Sequence, residues 1–425
     1  MIQIISKLNG AELKRILRRE LALENAFKAV EKILEDVKKN GDAAVRKYTK
    51  KFDGVDLKQI QVQREEIDRA VENLDLKIRK CLEEAAANIK AFHQKQLGEK
   101  IWLTLMRKGI ILGMKITPLE SIGIYIPGGR ALYPSTVLMA AIPAAIAGVN
   151  RIAMCTPPKK DGSVDPAILT AAQIAGVNEI YKVGGAQAIA ALAYGTESIK
   201  KVDKIIGPGN VFVTAAKLLV RKNVEIDFPA GPSEVVIVAD EYANPRFIAI
   251  DMIAQAEHDP SALAILITPS REIAEKVEGE LKMQLEKAKR REVVEASLKQ
   301  SQIFLVKDLD MAVELVNMIA PEHVQLMLRD YLPALDKVKH AGTIFIGDYA
   351  PAALGDYASG ANHVLPAAGY ARVYSGLSLD HFIKKTTIQM ASKQGLKMLR
   401  DIIITLAEAE GLYAHADSIK ERFKK

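Results

Sequence analysis

Glu179-Ile-Tyr-Lys-Val183-Gly184-Gly185-Ala186-Gln-Ala-Ile-Ala-Ala-Leu-Ala-Tyr194 holds the unit from which much of the chain is built: a short strand, a glycine turn and an alanine-rich helix. A brief apolar run stopped by glycines reads as a strand, and the longer alanine, leucine and isoleucine stretch reads as a helix. The unit recurs on both sides. Strand 122–126 ends at Pro127-Gly128-Gly129 before helix 135–147, and strand 151–155 precedes helix 166–175. Strand 202–206 ends at Gly207-Pro208-Gly209-Asn210 before helix 211–220. This alternation predicts a parallel sheet with helices on both faces. Ligands in such sheets bind beyond the carboxyl ends of strands, where three glycine turns fall. Free N–H groups at a helix start suit a pyrophosphate. No G-x-G-x-x-G follows any of these strands, and glycine also serves a turn for its own sake. From spacing alone, a nucleotide site and a plain turn both stay open.

The alternation resumes at Glu234. Strand 235–239, helix 247–258, strand 263–268, long helix 271–298, strand 303–306 and helix 311–319 predict a second α/β unit. Before both units, residues 1–100 read as helices over 11–22, 25–39, 42–48 and 65–92, with His93 at the surface end of the last. Short apolar runs over 101–106 and 110–116 predict a hairpin. After residue 320 the chain is polar and turn-rich, apart from a short helix and strand 343–346. Helices over 393–410 and 412–423, broken at Gly411, close it.

At 425 residues, two or three domains are expected. A 49% hydrophobic and 26% charged composition is that of a soluble globular protein. Residues 1–22 are charged throughout, unlike a signal peptide, and no apolar run could span a bilayer. Cys81 and Cys155 are too few for a disulfide framework, which fits a reducing cytoplasm. The net charge of +7 is spread among acids along helices, with no aromatic-interleaved basic patch, so nucleic acid is not an expected partner.

Gln255-Ala-Glu-His258-Asp-Pro260 carries the first chemical signal. On a helix Gln255 and His258, three apart, share a face and present an amide oxygen and an imidazole nitrogen, half of a metal site. The plain alternative is a helix capped before Pro260. Four of the seven histidines, His258, His323, His363 and His415, lie beside carboxylates, amides or turns in polar segments. Together they argue for one assembled site with metal or acid–base chemistry. The loop Gly355-Asp-Tyr-Ala-Ser-Gly-Ala-Asn-His363 has the length of a functional segment.

Several long runs make the chain similar to the histidinol dehydrogenase family. They are Tyr125-Ile-Pro-Gly-Gly-Arg130, Val183 to Thr196, Lys204-Ile-Ile-Gly-Pro-Gly-Asn210, Pro229-Ala-Gly-Pro-Ser-Glu234, Gln255-Ala-Glu-His-Asp259, Pro321-Glu-His323 and Gly355-Asp-Tyr-Ala-Ser-Gly360. The resemblance implies an α/β fold of two Rossmann-like parallel-sheet domains with a helical N-terminal region and a small helical C-terminal segment. Residues 1–116 would pack with 234–375 as one domain, 117–233 would form the NAD-binding domain, and 376–425 would reach the partner of a homodimer. The implied reaction oxidises L-histidinol through L-histidinaldehyde to L-histidine, with two hydrides passing to NAD. One zinc per subunit would be held by Gln255, His258, Asp356 and His415. Substrate would meet Ser233, Gln255, His258, His323, Asp356, Glu410 and His415, with His363 also in the matched loop. NAD would meet Tyr125, Gln187 and Asn210, and Glu322 and His323 would form the acid–base pair. Glu410 and His415 would serve the other subunit's site. Ala144, Ala361, Ala367 and Ala368 depart from the family pattern without removing a ligand or base.

Two nitrogens and two oxygens suit Zn2+, and Mn2+ or Co2+ could use the same set. His323 suits removal of a hydroxyl proton, and Glu322 activation of water on the aldehyde. A covalent route through Cys155 is the rival mechanism, set against a packed core thiol. A zinc hydrolase and a metal-bearing scaffold protein are the rival functions.

Overall fold

The computed structural model describes residues 2–6, 23–128, 132–177, 179–229 and 231–424. The helix expected over 11–22 lies outside the described residues, as do Gly129, Arg130 and Ala230 of the family-like runs. The strands are β1 (Gln3–Ile5), β2 (Ile101–Arg107), β3 (Ile110–Pro118), β4 (Ser121–Tyr125), β5 (Arg151–Cys155), β6 (Glu179–Tyr181), β7 (Lys204–Ile206) and β8 (Glu225–Ile226). Then come β9 (Glu234–Ala239), β10 (Leu263–Thr268), β11 (Gln302–Leu305), β12 (His323–Met327), β13 (Thr343–Ile346) and β14 (Ile383–Ala391). They fall into two compact units, Met1–Gln96 with Glu120–Phe382, and Leu97–Leu119 with Ile383–Lys425.

The larger unit holds both Rossmann-like sheets that the alternation predicts. One has the order β6-β5-β4-β7-β8, the other β1-β11-β10-β9-β12-β13, and every pairing in both is parallel. Counted from β4 and from β9, both run 3-2-1-4-5, with β1 added beyond β11. The order therefore reverses between β4 and β7 and between β9 and β12. All of β9 is buried, because a central parallel strand is covered on both faces. Val235, Ile237 and Ala239 face the helices Pro245–Ala256 and Arg271–Leu285, while Val236 and Val238 face the helix Leu309–Ile319.

Local breaks refine the expected helices. The helices expected at 25–39 and 42–48 join as Leu23–Asp53 across a kink at Gly41. The expected 65–92 helix divides into Arg64–Asn73 and Leu76–Gln94, because Asp75 accepts from the N–H groups of Lys77 and Ile78 and starts a new helix. The expected 271–298 helix divides into Arg271–Leu285 and Arg291–Leu298. His93 is fully buried rather than superficial; Gln96 and Asn362 meet its two ring nitrogens. β12 is the largest addition. His-Val-Gln-Leu-Met reads as polar, yet all five residues are buried in the sheet.

In the smaller unit, β2 and β3 form the expected hairpin, and β14, which the sequence reading passed over, pairs antiparallel along all of β3. The helices Lys393–Ala409 and Tyr413–Glu421 follow, separated at Gly411. Trp102, Leu103, Leu105, Met106, Ile402 and Leu406 are exposed. Among the described residues no helix is long and apolar enough to cross a membrane.

The turn after β7 is fixed by charge. Gly207 has φ +112°, and a Cβ there would collide with the carbonyl oxygen of Tyr125. Its N–H donates to Asp227 Oδ2 and its carbonyl accepts from Lys217 Nζ, both at 2.8 Å. Lys217 and Asp227 form an ion pair with side chains only 4% and 1% exposed. Removing one member of a buried pair strands the other charge. Lys217→Met is expected to destabilise the fold by on the order of 3–5 kcal/mol in urea unfolding, whereas Lys47→Met, at a pair whose lysine is exposed, is expected to leave the urea midpoint nearly unchanged.

Candidate active site

A cleft of about 690 Å3 opens within the larger unit. One wall comes from the carboxyl edge of the five-stranded sheet: Pro127 and Gly128 after β4, Gly207 to Asn210 after β7, and Asp227 and Phe228 after β8. The opposite wall comes from the amino edge of the six-stranded sheet, with Ser233 just before β9, and Glu322 and His323 at the start of β12. Gln255, His258, Asp356 and His363 complete the lining. The glycine turns thus lie where the sheet rule puts them, and the acid–base candidates lie at the other kind of edge.

His323 is 4% exposed, and its ring is held on one face and at one nitrogen. Nδ1 lies 2.9 Å from the Glu234 carbonyl oxygen, which can only accept, so Nδ1 carries the proton. Nε2 therefore holds a lone pair. It is buried without a hydrogen-bond partner, 3.9 Å from Asp356 Oδ1. Phe345 stacks on the ring with centroids 6.0 Å apart. Gly355 admits that phenyl, since a Cβ there would stand 2.8 Å from it. Burial pushes the imidazole below its ordinary value, with Asp356 opposing the shift, so the neutral, proton-accepting form prevails.

Glu322 is buried beside it. Its Oε2 accepts from the Glu234 N–H at 3.0 Å, and the Ser233 hydroxyl donates to the same carboxyl. Burial and the neighbouring Asp356 raise this carboxyl well above the usual range, and the Ser233 bond only partly opposes them. Two adjacent groups are thus driven in opposite directions, the carboxyl up and the imidazole down, as in sites that divide acid and base roles between neighbours.

Gln255 sits in the last turn of Pro245–Ala256, but the helix ends there, and His258 lies past its C-cap, Glu257. The shared helix face expected from sequence is therefore a turn, with the His258 N–H donating to the Gln255 carbonyl at 3.3 Å. Both residues still line the cleft. Gln255 is 3% exposed and its amide nitrogen lacks a partner. Burial lowers the His258 imidazole toward its neutral form, against Asp356. His363 is held at both nitrogens: Nδ1 donates to the Asp356 carbonyl at 2.7 Å, and Nε2 accepts from Thr136 Oγ1 at 3.1 Å. Its ring thereby holds the helix Ala352–Tyr357 that carries Asp356.

Among the NAD candidates, Asn210 lines the cleft and caps the helix Val211–Val220, accepting from the N–H groups of Phe212 and Val213. Tyr125 and Gln187 are buried at 3% and 1% exposure, behind the lining. The Tyr125 hydroxyl accepts from Gly185 N–H at 3.0 Å, and burial pushes its pKa up to about 12. Both amide atoms of Gln187 lack a partner. Glu410 and His415 belong to the smaller unit and are exposed. Among the described residues no three His, Cys, Asp or Glu side chains are grouped as a metal set.

Sequence reasoning missed Glu234, Thr136, Phe345 and the Lys217–Asp227 pair. Glu234 had a signal, as a carboxylate opening an otherwise apolar strand. Thr136 acts through a partner 227 residues away, Phe345 across neighbouring strands and the Lys217–Asp227 pair through a turn, none of which a local pattern displays.

Comparison with known proteins agrees with these motifs. The family model for histidinol dehydrogenase matches residues 16–423. The chain belongs to the histidinol dehydrogenase family. It is 52% identical to a histidinol dehydrogenase of Methanosarcina mazei over 99% of this chain and 97% of that one. It is 49% identical to that of Methanocaldococcus jannaschii, over 100% and 99% of the two chains. The crystal structure of histidinol dehydrogenase from Elizabethkingia anophelis superposes with a TM-score of 0.95 at 41% identity, covering 99% of this chain and 98% of that one. As a member of this family the protein is an oxidoreductase of histidine biosynthesis.

Cys155 ends β5, fully buried, and burial pushes its thiol far up, so a thiolate is not accessible to an aldehyde. Cys155→Ala is expected to keep kcat for the family reaction within about twofold, measured by absorbance at saturating substrate. A loss of aldehyde oxidation alone would return the covalent route to consideration.

Proposed function

We propose that the protein oxidises L-histidinol to L-histidine through L-histidinaldehyde, passing one hydride to NAD+ at each step. The observation that carries this reading is the unpartnered Nε2 of His323, a fixed proton acceptor in a cleft that Glu322 also lines. In the first step His323 takes the hydroxyl proton as hydride leaves the carbinol carbon for NAD+, giving the aldehyde and NADH. In the second, water adds to the aldehyde, and a second hydride passes to a second NAD+ to leave the carboxylate. Glu322 and His323 hold and move the protons of that addition.

Zinc is proposed as the resident metal. Gln255 offers an amide oxygen, His258 an imidazole that burial keeps neutral, and Asp356 a carboxylate, and all three line the cleft. That set fits a borderline divalent ion and lacks a fourth donor, which we assign to His415. When bound, the metal would supply an anchor for the imidazole and amine of histidinol, leaving positions open beyond the protein donors. Ser233, His323 and Glu410 join these residues as proposed substrate contacts, while His363 supports Asp356. NAD is assigned to the 117–233 domain at Tyr125, Gln187 and Asn210. Glu410 and His415 are assigned to a homodimer partner's site, a reading supported by the exposed apolar side chains of the smaller unit. Two free cysteines suit a cytoplasmic protein.

Two measurements test this. NADH absorbance with histidinol and NAD+ should disappear on chelation and return with zinc; turnover undiminished in metal-free protein would remove the metal from the mechanism. Glu322→Gln should slow aldehyde oxidation at least about 10-fold more than alcohol oxidation in single-turnover assays. Equal slowing of the two would reassign Glu322.

A further inference from the structure

Glu234 is 1% exposed at the start of a strand whose other residues are all apolar. A carboxylate persists in such a place when its oxygens are bonded. Oε1 accepts from two backbone N–H groups, that of Glu322 at 3.2 Å and that of Ala368 at 3.0 Å. The residue's own N–H donates to Glu322 Oε2 at 3.0 Å, and its carbonyl receives His323 Nδ1–H at 2.9 Å. Regular pairing of β9 and β12 starts one residue later, at Val235 opposite His323. Glu234 therefore closes the open end of that ladder with its side chain. Ala368, a non-glycine at φ +55°, is tied to the same oxygen, which helps offset the strain of a left-handed backbone.

We infer that Glu234 is a positioning residue: its carboxylate locks the ends of β9 and β12 so that its own carbonyl keeps the proton of His323 on Nδ1, leaving Nε2 bare toward the cleft. The inference rests on the reading of His323 as the base and adds what fixes its tautomer. Glutamine can present one oxygen to the same two N–H groups; alanine cannot. With the acceptor gone, the strand ends separate and the Nδ1–H bond lengthens, and a displacement of about 1 Å costs on the order of 100-fold in rate.

The test compares Glu234→Ala, Glu234→Asp and Glu234→Gln in the full-length protein. Ring 15N spectra of metal-free, cofactor-free protein, with the His323 signals assigned through His323→Gln, should show a single Nδ1–H tautomer in wild type and Glu234→Gln. A tautomer mixture is expected in Glu234→Ala, and in Glu234→Asp should the alanine variant not fold. Histidinol kcat should fall about 100-fold in Glu234→Ala with KM within about threefold, and stay within about threefold of wild type in Glu234→Gln. An unchanged tautomer in Glu234→Ala and Glu234→Asp, or a glutamine variant as impaired as alanine, overturns the inference. Undiminished kcat in His323→Gln overturns the base assignment instead, and the spectra still report on the brace.

Discussion

A neutral imidazole has one proton and two nitrogens, and the position of that proton decides what the ring can do. In this protein the backbone makes the choice. The Glu234 carbonyl takes Nδ1–H, and the consequence is a lone pair on Nε2 where the cleft opens. The carbonyl is in place because β9 and β12 are adjacent, and they are adjacent because the order of the six-stranded sheet reverses between them. Here Phe345 on one face and the Glu234 carbonyl at the edge remove that freedom before any ligand arrives.

The same economy of parts holds His363 and Asp356. The His363 ring spans from Thr136, on a helix packed against the five-stranded sheet, to the carbonyl of Asp356, on the short helix after β13. With both nitrogens engaged, the ring is a strut, and what it supports is the carboxylate that stands 3.9 Å from His323 Nε2. Thr136 and Asp356 both line the cleft, and this strut joins the segments that carry them.

The sheets were legible in the sequence because parallel strands covered on both faces are continuous apolar runs, as Val235 to Ala239 are. The glycine turns were legible because Gly207 must adopt a conformation other residues avoid. β12 was not legible, and the reason is chemical. His323 and Gln325 alternate with Val324 and Leu326, a two-residue period that normally marks one face in water. Both polar side chains are buried, turned toward Asp356 and Asp251 rather than toward solvent. Functional strands break the rule that reads polarity as exposure. The residues of the candidate site were visible as types and motifs; of the partners that orient them, Glu234 shows in the sequence only as a lone carboxylate opening an apolar strand, and Thr136 only once distant segments are brought together.

The location of the cleft follows from having two such sheets in one unit. A single doubly wound sheet offers a ligand one carboxyl edge, with helix starts and glycine turns that favour anions. It offers no comparable place for proton chemistry, since amino ends of strands are reached by helix C-termini. Setting the amino edge of one sheet against the carboxyl edge of the other supplies both. The turns after β4 and β7 contribute close backbone approach, while the starts of β9 and β12 contribute carbonyls, a raised carboxyl and a neutral imidazole. Helix C-termini, with their partial negative charge, favour a cation, and Gln255 and His258 stand at one. A metal on that side and a dinucleotide on the other would each meet the helix end that suits its charge. On this architecture the proposed division of labour between a dinucleotide and an acid–base pair would come from the direction in which the strands run.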